Sequence, residues 1–109
     1  MPEYERDVST LSKKYRNAQK NLKAVERLLT AGKKESLQAV KVSGFGSRSV
    51  WKARAISEDI TRGKSGGFRV WWIEVGDCFY LVHVYTHHDN RDEQEVRREV
   101  SRRLSLSGQ

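Results

Sequence analysis

Lys52, Arg54, Arg62, Lys64, Arg69, His87 and His88 are the residues of this chain whose types handle phosphate and protons. Between Arg48 and Arg69 six basic residues stand against two acidic ones, a local net charge of +4. Such a set suits one reaction in particular. RNA is cut without a metal when its own 2′-OH attacks the adjacent phosphorus. One group must take the 2′ proton, another must protonate the departing 5′ oxygen, and cations must steady the phosphorane between them. Histidine moves protons near neutral pH, and arginine grips phosphate through a rigid two-point fork. DNA has no 2′-OH, so this route is specific to RNA.

Other chemistries fit less well. The wording "RGKSGG" at 62–67 is reminiscent of a nucleotide phosphate loop, but that motif needs glycine five residues before Gly63, where Glu58 stands. The stretch also leads into a strand rather than a helix, so no nucleotide cofactor is expected. A zinc site built from Cys78, His83, His87 and His88 is also poor. On an extended strand His83 and His87 lie about 13 Å apart, and adjacent histidines point to opposite faces. The sequence therefore calls for no metal and no cofactor.

The elements that must position these residues can be read from periodicity. Val8, Leu11, Tyr15, Ala18, Leu22, Val25 and Leu28 or Leu29 recur at steps of three and four, the stripe of an amphipathic helix. Asp7 or Ser9 can cap its start, and Gly32 stops it. The stripe suits one long helix or two helices broken near 15–17. Lys13, Lys14, Arg16, Lys20, Lys23 and Arg27 lie on the opposite face, ordinarily a solvated one. The stretch 32–49 is less regular, with the turn-rich "SGFGS" at 43–47.

The period then becomes two. "SVWKARAI" (49–56), "FRVWWIEV" (68–75) and "CFYLVHVYT" (78–86) read as strands, with Gly76-Asp77 as a tight hairpin turn between the last two. Alternation puts Trp51, Ala53 and Ala55 on the core side and turns Lys52 and Arg54 outward. Cys78, embedded in a strand, is expected to be a small buried hydrophobe. "YTHHD" brings Tyr85, His87 and His88 to the sheet edge. Val96, Val100 and Leu104 mark a closing helix over about 92–104. The fold class is α+β, one domain over 1–109. A pair of helices at about 7–40 packs on a twisted antiparallel sheet at about 48–86, whose other face is left free to be polar.

Composition agrees with a polyanionic partner. The formal charge is +7, the chain has a single cysteine, and no apolar run approaches the roughly 20 residues of a membrane span. The first residues lack the pattern of a signal peptide, so the cytoplasm is the expected location and no membrane partner is expected.

"LSKKY" (11–15), "LLTAG" (28–32), "SVWKARA" (49–55), "RGKSGGFRV" (62–70) and "VYTHHDNRD" (84–92) occur in an order that resembles the RelE/ParE superfamily of type II toxin–antitoxin toxins. The likeness extends over most of the chain, from about Tyr4 to Leu104. It implies helices packed on a twisted sheet, and a toxin that cuts mRNA in the ribosomal A site by metal-independent 2′-OH attack. The implied partners are the ribosome with its mRNA and a cognate antitoxin. By position, Lys52 and Arg54 match the basic pair on the strand after the helices, and Arg69 matches the arginine that contacts the scissile phosphate. His87 or His88 falls where relatives keep a basic or histidine residue and would serve as the proton-transfer group, and Arg62 and Lys64 would hold RNA phosphates. Two features depart from the pattern. The usual opening strand is reduced to "MPEYE", and the C-terminal helix carries no tyrosine. A gyrase-inhibiting toxin of the same superfamily, or a non-catalytic RNA-binding module, are the competing readings.

Overall fold

The computed structural model describes residues 2–56, 67–86 and 92–107. The opening segment is helical rather than extended: α1 runs Pro2–Lys14, so the reduced first strand expected at "MPEYE" is instead a helix start. Proline suits a first helical turn, whose N–H would be unpaired anyway, and Glu3 and Glu5 favour the positive end of the helix dipole. Asp7 is thus no cap but lies within the helix. The chain breaks at 15–17, and α2 follows as Ala18–Thr30. Its end is a Schellman cap: Gly32, at φ +71°, donates to the Leu29 carbonyl while Lys33 donates to Leu28.

A short 3₁₀ turn, Lys34–Leu37, leads to β1 (Val40–Val42), a strand that the sequence did not announce in the less regular stretch 32–49. Then come β2 (Ser49–Ile56), β3 (Gly67–Val75), β4 (Cys78–Thr86) and α3 (Glu93–Ser107). The sheet is antiparallel throughout in the order β1-β2-β3-β4. Gly76, at φ +60°, turns the β3–β4 hairpin in the left-handed conformation that its tight connection demands. Cys78 opens β4 and is exposed, not buried, because it sits at the hairpin mouth rather than inside the sheet.

Two cores flank this sheet. On one face Leu11, Tyr15, Leu22 and Val25 of the helical pair meet Ala53, Ala55, Phe68, Val70 and Trp72. Tyr15 presents its ring edge-on to Phe68, with centroids 5.9 Å apart. The other face was expected to be open, and half of it is not. Val96, Val100 and Leu104 of α3 pack there on Val50, Trp71, Ile73 and Val82. Burying those three side chains contributes roughly 1.5–3 kcal/mol each, ample reason for α3 to lie on the sheet. Strand β3 is therefore covered on both faces. The second face stays accessible at the hairpin end, where Val75 and Tyr80 are exposed, and beyond the first turn of α3, where polar residues gather.

A charged cluster holds α1, β4 and α3 together. Arg103, 8% exposed, forks onto Asp7 with Nη1–Oδ2 at 2.6 Å and Nη2–Oδ1 at 3.1 Å. It also donates to the Val82 carbonyl at 2.8 Å and to Glu99 at 2.6 Å. Asp7 accepts further bonds from His83 Nδ1 at 2.7 Å and from the Val84 N–H at 3.1 Å. Val82 is the extra residue where the β3–β4 register shifts between Trp71 and Trp72. Edge strand β4 thus finds partners for its backbone in side chains, which blunts it against pairing with another chain.

Candidate functional site

Lys52 and Arg54 are carried by β2 and Arg69 by β3, and the pairing register decides how they meet. Arg54 stands directly opposite Arg69, and Arg69 directly opposite Tyr85 on β4. One row across three strands therefore reads Arg-Arg-Tyr. The next row pairs Lys52 with Trp71. Gly67 makes this alignment possible. A Cβ there would lie 2.6 Å from the Ala55 carbonyl oxygen, so only glycine lets β3 start this close to β2.

These side chains line a groove of about 490 Å³. Lys52, Arg54, Arg69, Trp71 and Tyr85 form its floor, and Leu37, Gln38, Val40 and Glu93 form its rim. Gln38 adopts the left-handed conformation at φ +54°, uncommon for any residue but glycine. Glu93, in the first turn of α3, is ion-paired and hydrogen-bonded to Lys52 across the groove. Lys52 also sits over the Trp71 ring, 5.5 Å from its centroid. Asp92 begins the helix by accepting the Gln94 N–H at 3.3 Å. Arg97, one turn on from Glu93, anchors this end of α3 through the Ser43 carbonyl at 2.8 Å.

The electrostatics are lopsided. Like charges directly opposite one another in a sheet are destabilising, and Arg54 and Arg69 are such a pair. Partial burial, and then the neighbouring Arg54 charge, lower the Arg69 pKa, with Tyr85 acting in the opposite sense. A guanidinium nevertheless remains charged at any physiological pH. The groove accordingly concentrates positive charge at its sheet end and, among the described residues that line it, carries one carboxylate, that of Glu93, at its helix end. The hydrogen bond from Lys52 holds that carboxylate below the usual range. Such an arrangement can grip a phosphodiester between the two guanidinium forks, with a carboxylate and a phenol close by for proton traffic.

Of the residues singled out from sequence, Lys52, Arg54 and Arg69 are brought together on one groove floor. Arg62, Lys64, His87 and His88 lie outside the described residues. Glu93 and Trp71 escaped the sequence reading. Trp71 meets the groove because it pairs with Lys52, and only the path of α3 over β2 brings Glu93 there. Cys78 lies elsewhere, beside Gly76, Asp77 and Lys34 at the hairpin end. No helix among the described residues is long and apolar enough to cross a membrane. No family model, curated protein or solved structure matches the chain.

Proposed function

We propose that this chain is a ribosome-dependent mRNA endonuclease, the toxin of a type II toxin–antitoxin pair of the RelE/ParE kind. It acts in the cytoplasm and is neutralised by a cognate antitoxin. The observation that carries the reading is the cross-strand Arg54–Arg69 pair on the floor of a groove shared with Lys52 and Tyr85. Two guanidinium forks placed opposite one another can take the oxygens of one phosphate in charge-assisted hydrogen bonds.

In the proposed reaction Arg54 and Arg69 hold the non-bridging oxygens of the scissile phosphate and stabilise the charge that grows on the phosphorane. Lys52 adds a third cation. The 2′ oxygen forms the new bond to phosphorus, the bond to the 5′ oxygen breaks, and the products are a 2′,3′-cyclic phosphate and a 5′-OH. His87 or His88, which follow Tyr85 in the chain, serves in proton transfer. Arg62 and Lys64 hold flanking phosphates of mRNA or ribosomal RNA.

Primer extension on translating ribosomes tests this reading. The wild-type protein is expected to create new codon-specific 5′ ends, and Arg69→Ala to abolish them. Blocked DNA supercoiling without new ends would instead identify a gyrase inhibitor. Absence of both effects, with RNA still bound, would leave a binding module.

A further inference from the structure

The proposed chemistry needs a base for the 2′-OH, and the groove holds a carboxylate that no reading of the sequence assigned. We propose that Glu93 is the general base, held in reserve by Lys52 and released when a phosphate takes Lys52 over. This inference rests on the endonuclease reading above.

Position supports it first. Glu93 stands over β2 through its bond to Lys52, whereas Tyr85 is on β4, with Arg69 on the strand between. Adjacent strands lie about 4.8 Å apart, so the β2 and β4 flanks of a phosphate held on Arg69 are separated by about 10 Å. A displacement in which attacking and leaving oxygens lie in line needs its two proton-handling groups on opposite flanks. Glu93 stands on the β2 side of the groove through Lys52, and Tyr85 stands on the β4 side.

Protonation state supports it next. A base must be ionised before substrate arrives, and the Lys52 hydrogen bond keeps the Glu93 carboxyl ionised well into mild acid. That same bond makes it a poor proton acceptor. A phosphodiester entering the groove competes for the Lys52 ammonium. Freed of its partner, the carboxylate regains ordinary basicity at the moment the 2′-OH is nearby. Glu93 is exposed enough to make this exchange, with half of its side chain open to solvent.

The step balances without any further reagent. The 2′-OH proton passes to a Glu93 carboxylate oxygen, and the 2′ oxygen lone pair forms the new P–O bond. The P–O5′ bond breaks with its electron pair on O5′, which takes a proton from the histidine. Exchange with water then returns both groups to their starting forms.

Glu93→Gln, compared with wild type and Arg69→Ala, tests the proposal through single-turnover cleavage of ribosome-bound mRNA and through RNA affinity. Glu93→Gln is expected to cut at least 100-fold more slowly, the scale of a lost general base. It should bind RNA as tightly as wild type or more so, because an anion has left the groove. The rise of rate with pH on the acid side should vanish with it, and Glu93→Asp should restore part of the rate. Near-UV circular dichroism establishes that the variants are folded. A Glu93→Gln rate within threefold of wild type, or faster, overturns the proposal while new ends abolished by Arg69→Ala keep the endonuclease reading intact. A wild-type protein that makes no cuts overturns both.

Discussion

Asp7→Ala tests how α1, β4 and α3 are held together. In the folded protein the Asp7 carboxylate accepts both prongs of the Arg103 guanidinium, the His83 ring N–H and the Val84 backbone N–H. Removing it leaves Arg103 largely buried with Glu99, the Val82 carbonyl and a longer ion pair to Glu3 at 3.7 Å, and takes away the Val84 N–H's side-chain acceptor. Breaking a buried pair by deleting one partner typically costs 3–5 kcal/mol. Because Glu99 still faces Arg103 at 2.6 Å, the lower end applies, about 3 kcal/mol. A domain of this size has roughly 5–15 kcal/mol in all, and a loss of 3 kcal/mol lowers the melting temperature by roughly 10 °C or more. Urea unfolding of Asp7→Ala, Arg103→Leu and the double variant gives the decisive measure. With the charge gone from both sides, the double variant should lose about 2 kcal/mol less than the two single losses added together. A single loss below 1 kcal/mol, or losses that add within 0.5 kcal/mol, would refute the view that this pair fastens the elements together.

The same cluster sets an acid limit. Burial pushes the Asp7 pKa up, but hydrogen bonds from His83 and Arg103 outweigh it, and the carboxyl ends below its usual value. The hydrogen bond from Arg102, helped by Arg103 and opposed by burial, takes Glu99 down to about 2. Acids depressed in the folded state stabilise it fully above their unfolded values of about 3.9 and 4.3, and this stability drains as the pH falls through the folded ones. Melting temperature should therefore fall between about pH 4.5 and pH 2, and Asp7→Asn should flatten that fall; an unchanged slope would contradict the assignment. Gly67→Ala drives a methyl into the Ala55 carbonyl; it should destabilise by about 1–3 kcal/mol by the scale of overpacking, and shift Arg69 backbone resonances along with it. Tyr4 is buried and its hydroxyl has no hydrogen-bond partner among the described residues, so Tyr4→Phe should be neutral or stabilising by up to about 1 kcal/mol in thermal unfolding; a loss above 1 kcal/mol would mean that the hydroxyl is bonded.

Much of this layout can be read from residue spacing, because the signals that specify it are local. The three- and four-residue stripe marks the helical region, and Gly32 ends it by a cap contained in six consecutive residues, Leu28 to Lys33. Alternation in 49–56 turns Lys52 and Arg54 to one face and Ala53 and Ala55 to the other. What escaped the sequence depends on distant partners. Val40–Val42 is too short to show a period and becomes a strand only because β2 offers it an edge. Arg103 has the look of a solvated helix cation, and its burial follows from Asp7, which is 96 positions away. Likewise Glu93 joins the groove because Val96, Val100 and Leu104 lay α3 across the sheet, a packing choice that residue types near Glu93 do not announce.

The separation of Asp7 from Arg103 along the chain also bears on the order of folding. Closing so long a loop carries a large entropic cost before any contact rewards it, whereas the α1–α2 pair and the β3–β4 hairpin close over short distances. The sheet and the helical pair can therefore assemble first, with α3 docking after the main barrier. On that schedule, weakening the Asp7–Arg103 contact leaves the folding rate nearly unchanged and speeds unfolding instead. The clamp then acts as a brake on opening. It governs how long the native protein, groove included, persists once formed.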